Sequence, residues 1–353
     1  MTAPEGDLMA EQSNTMTQRE FHDPLVDPTR TDLPDKFFDR FVFNLHPESA
    51  TVPSILMGFG MYPTKNTVDG FVVVSDETDQ RNLRFSTELS DTDGDGGGPF
   101  RFAVVEPNRV WRLTLADNPI GVAFDLTWRA RTPAWFGTVA VDNAGGESTS
   151  FEHLFQSGRY EGTLTIDGTT HAVDGWYGQR DRSRGVRTMS GGQGLHIWYQ
   201  AQFPDLSIGF LLVETRDHQR LLLEGAVMHE NGLVDDVTDV RHRLTFDDNR
   251  DLVEGVVEVT TESGQVFTVD ADARARGGYM AGAGYGGHHG KQLGRDHVES
   301  DRYPLDGTVN PSTVDSALTD RLCRFDWNGQ QGSGIFEFAL TRSRRFSYSA
   351  TLS

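Results

Sequence analysis

Apolar and polar residues alternate with a period of two along most of the chain. In the segment GVAFDLTWRA (121–130), every second residue from Val122 to Trp128 is apolar, whereas Asp125 and Thr127 stand between them. Such an alternation is typical of a β-strand with one buried face. The same pattern occurs in segments 101–106, 109–115, 160–166, 195–203, 207–215, 221–229, 254–261, 265–271, 334–340 and 345–352.

Turn residues separate these segments. The dipeptides Asp167-Gly168 and Asn231-Gly232 are typical of tight β-hairpins, because both central positions of such a turn favour a positive φ. One helix is predicted over residues 311–325, where Val314, Leu318 and Leu322 recur at every fourth position after a Ser/Thr cap. Short strands at regular intervals with so little helix predict an all-β fold, a sandwich or a barrel.

Composition and length divide the chain into three predicted parts. Residues 1–30 are polar, acidic and poor in aromatic residues, which predicts a disordered arm. The Gly- and Ser-containing stretch 187–194 interrupts the strand pattern. We therefore predict one domain over residues 31–190 and another over residues 191–353, each the size of one closed barrel.

The charge of the chain limits its partners. It contains 52 Asp and Glu against 32 Lys and Arg, a net charge of −20. This balance argues against a nucleic-acid partner, because a phosphate backbone requires a positive surface. The N-terminus has no basic and apolar regions typical of a signal peptide, and no run approaches the ~20 apolar residues of a membrane span. We expect no integral membrane segment and a cytoplasmic location.

Several short motifs suggest ligands but lack the required context. DTDGDG (91–96) opens like a calcium loop, yet Phe102 stands where an EF-hand needs a bidentate Glu. GAGYGG (282–287) is not followed by the amphipathic helix of a dinucleotide site. The adjacent His288 and His289 would point to opposite faces of a strand. The lone Cys323 excludes an internal disulfide, and we interpret it as structural. The sequence thus predicts no metal site and no cofactor.

The stretch GWYGQRDRSRGVR (175–187) concentrates arginine in this acidic chain. In an extended strand, Asp181 and Ser183 share one face. The other face then carries Arg180, Arg182 and Arg184. A buried guanidinium needs a carboxylate partner, such as Glu224 or Glu337. One interpretation is therefore a structural ion-pair clamp that ties the two halves of the chain together.

The same stretch resembles the Gly-x-Gly-x-Arg-Asp-His-Ser-Trp-Gly-x-Arg signature of a lipocalin-like superfamily, which includes the carotenoid 1,2-hydratases (hydroxyneurosporene synthases) and the AttH-like proteins. Segments 282–305 and 327–338 are similar to landmarks of the second barrel in that group, and the resemblance covers about residues 35–350. Two positions depart from the signature: Arg182 replaces its His, and Arg184 replaces its Trp. Any role of that His or Trp is not inherited here.

The resemblance implies two calycin-type antiparallel β-barrels in tandem. It also implies a cofactor-independent hydratase, lyase or cyclase that acts on an isoprenoid or a similar hydrophobic small molecule. Hydration of an alkene requires an acid that protonates carbon, and burial in an apolar cavity raises the pKa of a carboxylic acid. We expect Asp181 to be this acid and His196 its partner. The expected substrate contacts are Trp176, Trp198, Arg180, Ser183, Arg187, Tyr285 and His288.

Each of these roles has a structural alternative. Asp181 paired with Arg187 would have a lowered pKa and no acid function, and His196 would be a hydrogen-bonded core residue. Trp176 and Trp198 would serve barrel packing. A non-catalytic carrier of a hydrophobic ligand would use the same cavity. The sequence leaves open whether that cavity lies inside one barrel or between two.

Overall fold

The computed structural model describes residues 27, 29, 30, 32–142, 148–187, 193–273 and 277–353. The strands are β1 Phe37–Leu45, β2 Ser54–Tyr62, β3 Thr67–Ser75, β4 Asp79–Glu88, β5 Gly96–Gly97, β6 Phe100–Glu106, β7 Val110–Leu115, β8 Val122–Ala130, β9 Trp135–Asp142, β10 Ser148–Ile166, β11 Thr169–Val186, β12 Gln193–Gln202, β13 Leu206–Thr215, β14 Arg220–His229, β15 Val234–Phe246, β16 Leu252–Thr261, β17 Val266–Asp272, β18 His297–Pro304, β19 Thr319–Trp327 and β20 Gln330–Leu340. Single 3₁₀ turns span Pro63–Lys65, Leu89–Asp91 and Met280–Ala283.

The first eleven strands and β18 form one twelve-stranded antiparallel sheet. Its order is β18-β4-β3-β2-β1-β11-β10-β8-β7-β6-β5, and β9 pairs with β10 beside this path. Phe85 of β4 stacks on Phe100 of β6 with ring centres 5.9 Å apart, so the two ends of the sheet curl toward each other. Between them lies a core of aromatic side chains that fills the interior of the rolled sheet: Phe41, Phe43, Phe59, Phe102, Trp111 and Trp128.

The remaining strands close into an eight-stranded barrel in the order β12-β13-β14-β15-β16-β17-β19-β20. Alternate residues of β15 are buried, as a strand with one inward face requires. The barrel interior is also filled, because Tyr199 packs against Phe210, Phe325 and Phe336 with ring centres 4.9–5.2 Å apart. The prediction of an all-β fold with tandem barrels is confirmed.

A third apolar cluster joins the rolled sheet to the closed barrel. Phe71 and Phe155 of the sheet belong to it together with Leu211 of the barrel and Met280. Strands β2 and β3 are buried on both faces, because one face packs into the sheet's own core and the other into this cluster. At its edge, Trp135 Nε1 donates a 2.7 Å hydrogen bond to Asp236. The two units therefore share an extensive dry contact.

Two predicted elements are wrong. Residues 311–315 form turns and bends, and residues 319–327 form β19 instead of the second half of a helix. The i+4 spacing is a local pattern, whereas β19 pairs with β20 along its whole length and with β17 near its end, and this pairing closes the barrel. Segment 345–352 is not a strand either. It crosses β15, where Tyr348 Oη accepts a 2.8 Å hydrogen bond from the Leu244 amide, so a side chain takes the place of ladder pairing.

The predicted domain boundary falls on residues outside those that the structure describes, as does most of the predicted N-terminal arm, so both remain predictions. β18 comes from the second half of the sequence and pairs with β4 of the first sheet along its whole length. Among the described residues, no helix is long and apolar enough to cross a membrane.

Candidate active site between the rolled sheet and the closed barrel

A cavity of about 330 Å³ lies where the rolled sheet faces the closed barrel. This volume lies within the range of small-molecule sites. Its apolar wall includes side chains from both units: Val42, Val139, Phe151, Trp198, Leu211 and Val213. Aromatic side chains occupy the two barrel interiors, and this cavity lies between the two units instead of inside either one.

The sheet side of the cavity carries a chain of three hydrogen-bonded ionisable groups. Asp181 of β11 lies opposite Phe155 of β10, and His153 is two residues before Phe155 on the same face. His153 Nε2 is 2.6 Å from Asp181 Oδ2, and its Nδ1 is 2.5 Å from Glu224 Oε1. Glu224 belongs to β14 of the closed barrel, so this contact bridges the two units.

His153 is a buried cation. Its ring packs edge-on against Phe155 and Phe151, with centres 4.4 and 5.5 Å away. Burial acts to lower the pKa of His153, but the charges and hydrogen bonds of Asp181 and Glu224 outweigh it and raise the pKa to about 9. At neutral pH both ring nitrogens therefore carry protons and donate to the two carboxylates.

The barrel side of the cavity carries a second acidic group. Asp320 of β19 lies directly opposite Glu337 of β20. Glu337 Oε1 is 2.7 Å from His196 Nε2 on the neighbouring strand β12. Burial raises the pKa of Asp320 well above its usual range, and the charge of Glu337 and a hydrogen bond between the two side chains add to this shift. Burial in this largely apolar cavity thus favours the protonated form of Asp320.

The structure brings six of the nine predicted site residues to this cavity: Asp181, Ser183, Arg187, His196, Trp198 and Tyr285. The other three lie elsewhere. Trp176 packs against the core of the rolled sheet. Arg180 lies on the inward face of β11, with its guanidinium 5.3 Å from the centre of the Trp111 ring. His288 follows Tyr285 by three residues in a series of turns and bonds Glu299 of β18 at 2.6 Å.

The arginines at positions 180, 182 and 184 face the sheet interior, on the side of β11 opposite Asp181, whereas Arg187 lines the cavity. Arg182 makes a bidentate pair with Asp39 at 2.9 and 3.1 Å, and Arg184 bonds the same carboxylate at 3.1 Å. Arg180 bonds Asn108 at 2.6 Å. Burial lowers the pKa of Arg180 to about 9. The expectation that Glu224 or Glu337 pairs with these arginines was wrong, because both carboxylates bond histidines.

The sequence analysis missed His153, Asp320 and Arg40, all of which line the cavity. The sequence pattern could have identified His153, because Phe151, His153 and Phe155 stand at every second position and therefore share one strand face. Asp320 was hidden by the predicted helix. Read with a period of two, Leu318, Asp320 and Leu322 fall on one face and would have pointed to the cavity.

A family model matches residues 22–345 and is described as "Family of unknown function (DUF8625)". The chain belongs to this family. No curated protein sequence matches the DUF8625 chain.

Solved structures share its architecture. A protein from Nitrosomonas europaea with the provisional name AttH is 12% identical, with a TM-score of 0.59, and the match covers 90% of this chain and 99% of that one. Kievitone hydratase from Nectria haematococca is 13% identical with a TM-score of 0.45, covering 90% and 94%. CghA is 11% identical with a TM-score of 0.47, covering 88% and 90%. The match to the AttH protein confirms that the DUF8625 chain has the lipocalin-like tandem fold.

Proposed function

We propose that this protein is a cofactor-independent enzyme that adds water to, removes water from, or cyclises a hydrophobic small molecule in the interface cavity. The observation that carries the proposal is the position of Asp320, which is buried beside Glu337 and faces the same largely apolar space as the Asp181–His153 pair. This burial raises the pKa of Asp320. A carboxylic acid that keeps its proton near neutral pH is the group that acid catalysis on carbon requires.

In hydration, the Asp320 carboxyl transfers its proton to one alkene carbon, and a cation forms on the other carbon. Water adds its oxygen to that cation and releases a proton, which restores the acid, so the net change is one added water. In cyclisation, a second double bond of the substrate attacks in place of water and forms a ring with a new cation. A carbon next to that cation then loses a proton, which restores the acid, so the product is an isomer of the substrate. Trp198 lines the cavity, and an aromatic ring there suits a developing positive charge.

The other polar groups have supporting roles in this proposal. Sequence analysis named Asp181 as the acid, but Asp181 accepts a hydrogen bond from the cationic His153. In this position Asp181 is suited to hold the attacking water and to stabilise the cation. His196 bonds Glu337, the partner of Asp320, and so acts as a positioning residue for the acid pair.

The test begins with native mass spectrometry of the freshly purified protein, to identify any apolar molecule that copurifies. That molecule, or geraniol as a short isoprenoid probe, is then incubated with the protein in heavy-oxygen water. Incorporation of the heavy oxygen reports hydration, and an isomer of unchanged mass reports cyclisation. A ligand that returns unaltered from every incubation would refute an enzyme and leave a carrier.

Variants then locate the acid. Asp320→Asn keeps the shape of the side chain but cannot supply the proton, so turnover should fall by at least about a hundredfold, the lower range for acid catalysis, while ligand affinity stays unchanged. Asp270→Asn, an exposed carboxylate on β17, is the matched control and should keep full activity. Full turnover in Asp320→Asn would refute the assignment of the acid.

A further inference from the structure

Arg40 carries an unused donor into the cavity. It lies on β1 and lines the cavity wall. Its Nη1 donates to Tyr62 Oη at 3.2 Å, whereas the buried Nη2 has no hydrogen-bond partner among the described residues. The guanidinium stands 5.5 Å from the centre of the Tyr285 ring. A buried N–H of a charged group costs free energy when it has no hydrogen-bond acceptor, so such a donor usually bonds a protein group, a water molecule or a ligand.

Arg187 is a second cation on the same cavity wall. Its guanidinium packs over the rings of Phe151 and Phe38, at 4.4 and 5.2 Å from their centres. Within the described part of the chain, neither Arg40 nor Arg187 forms an ion pair. Stacking on a ring face leaves the edge N–H groups of Arg187 available to a ligand.

Tyr285 lies close to both guanidiniums. Burial raises the pKa of Tyr285 to about 12, although the charges of Arg40 and Arg187 act in the opposite direction. Its hydroxyl is therefore neutral at physiological pH and is a third potential donor. Two cations and a hydroxyl thus meet along one side of a largely apolar cavity.

Two buried arginines elsewhere in the described part of the chain pair with carboxylates. Arg182 pairs with Asp39 on both oxygens, and Arg321 pairs with Asp251. Arg40 and Arg187 differ from these arginines because neither bonds a carboxylate directly, although the charge of Asp69 acts on Arg40 and the charges of Asp181 and Glu337 act on Arg187. A guanidinium fork matches the two oxygens of a carboxylate.

From these contacts we infer that the ligand of this cavity is an apolar molecule with an acidic oxygen group, a carboxylate or an enolate. Arg40 and Arg187 bind that group, with Tyr285 as an additional donor, while the apolar body lies toward Trp198. The inference rests on the proposed function in using the same cavity, and it specifies the substrate class.

The test compares two ligands with one carbon skeleton, geranic acid and geraniol, by calorimetry or tryptophan fluorescence. The wild-type protein should bind geranic acid at least about tenfold more tightly than geraniol, since only the acid makes charge-assisted hydrogen bonds. Arg187→Met and Arg40→Met should each remove this preference and leave the affinity for geraniol unchanged. Arg159→Met is the matched control, because Arg159 stacks on Tyr177 and does not line the cavity.

The outcomes separate the two proposals. Equal binding of the two ligands to the wild-type protein, or an unchanged preference in both variants, would overturn the carboxylate inference alone. Failure of both ligands to bind would count against the apolar site itself and therefore against the proposed function. Arg187 is exposed, so its variant is expected to fold even if Arg40→Met does not.

Discussion

Raising the pH from 6.5 to about 9 should lower the free energy of unfolding of this protein through His153. The ordinary pKa of the imidazole is 6.5, and the value in the folded protein is about 9. Between these values the folded protein holds a proton that the unfolded chain has lost. The stabilisation is therefore complete below pH 6.5 and is lost as the pH rises through about 9.

The magnitude follows from the shift in pKa. A tenfold change in proton affinity corresponds to about 1.4 kcal/mol, so raising the pKa from 6.5 to about 9 contributes about 3–4 kcal/mol. The side chain is only 3% exposed, which limits solvent screening. The other histidines with strongly shifted pKa values do not contribute to the change in stability between pH 6.5 and about 9. Burial lowers the pKa values of His46 and His289 to about 4, so both finish titrating at lower pH.

The assay is chemical denaturation across this pH window for the wild-type protein, His153→Gln and the control His171→Gln. His171 is exposed on β11, so its variant should retain the pH dependence of the wild type. His153→Gln should be less stable than the wild type below pH 6.5, and the difference should narrow toward pH 9. Parallel curves for the wild type and His153→Gln would refute a cationic His153, as would an imidazole that titrates at its ordinary pKa by NMR.

Three further predictions concern the frame around the site. Asp39→Asn should lower the free energy of unfolding by about 3–5 kcal/mol in denaturant titrations, because the buried guanidinium of Arg182 loses the charge of its carboxylate partner. The same change at the exposed Asp125 should alter the free energy of unfolding little. Gly278→Ala would place Cβ 1.8 Å from the Asp320 carbonyl oxygen. It should therefore lower the free energy of unfolding by about 1–3 kcal/mol more than Gly168→Ala, because Gly168 has a similar φ but open space around it. Equal losses of stability in the two variants would contradict the clash. Burial raises the pKa of the Cys323 thiol, which should react with Ellman's reagent only after denaturation, and prompt labelling of the native protein would show that the thiol is accessible.

The sequence by itself determined the all-β character of the fold and the division of β11 into two faces. Both follow from local geometry, because successive side chains of a strand point to opposite sides. The alternation in GWYGQRDRSRGVR therefore placed Asp181 and Ser183 on the opposite face from the arginines at positions 180, 182 and 184 before any partner was known. The spacing of apolar residues gave a wrong prediction where pairing with neighbouring strands determined the structure. At residues 319–325 the i+4 pattern predicted a helix, but the backbone is paired in the closing strand of the barrel.

The tertiary structure alone decided which ionisable groups meet. His153 lies 71 residues from Glu224 in the chain, and Arg182 lies 143 residues from Asp39. No spacing in the sequence encodes these contacts, because they depend on how the rolled sheet packs against the closed barrel. The same packing decided that the cavity lies between the two units, and that Asp320 is buried beside Glu337. The protonation states of Asp320 and His153 follow from that burial and those neighbours, which only the folded chain provides.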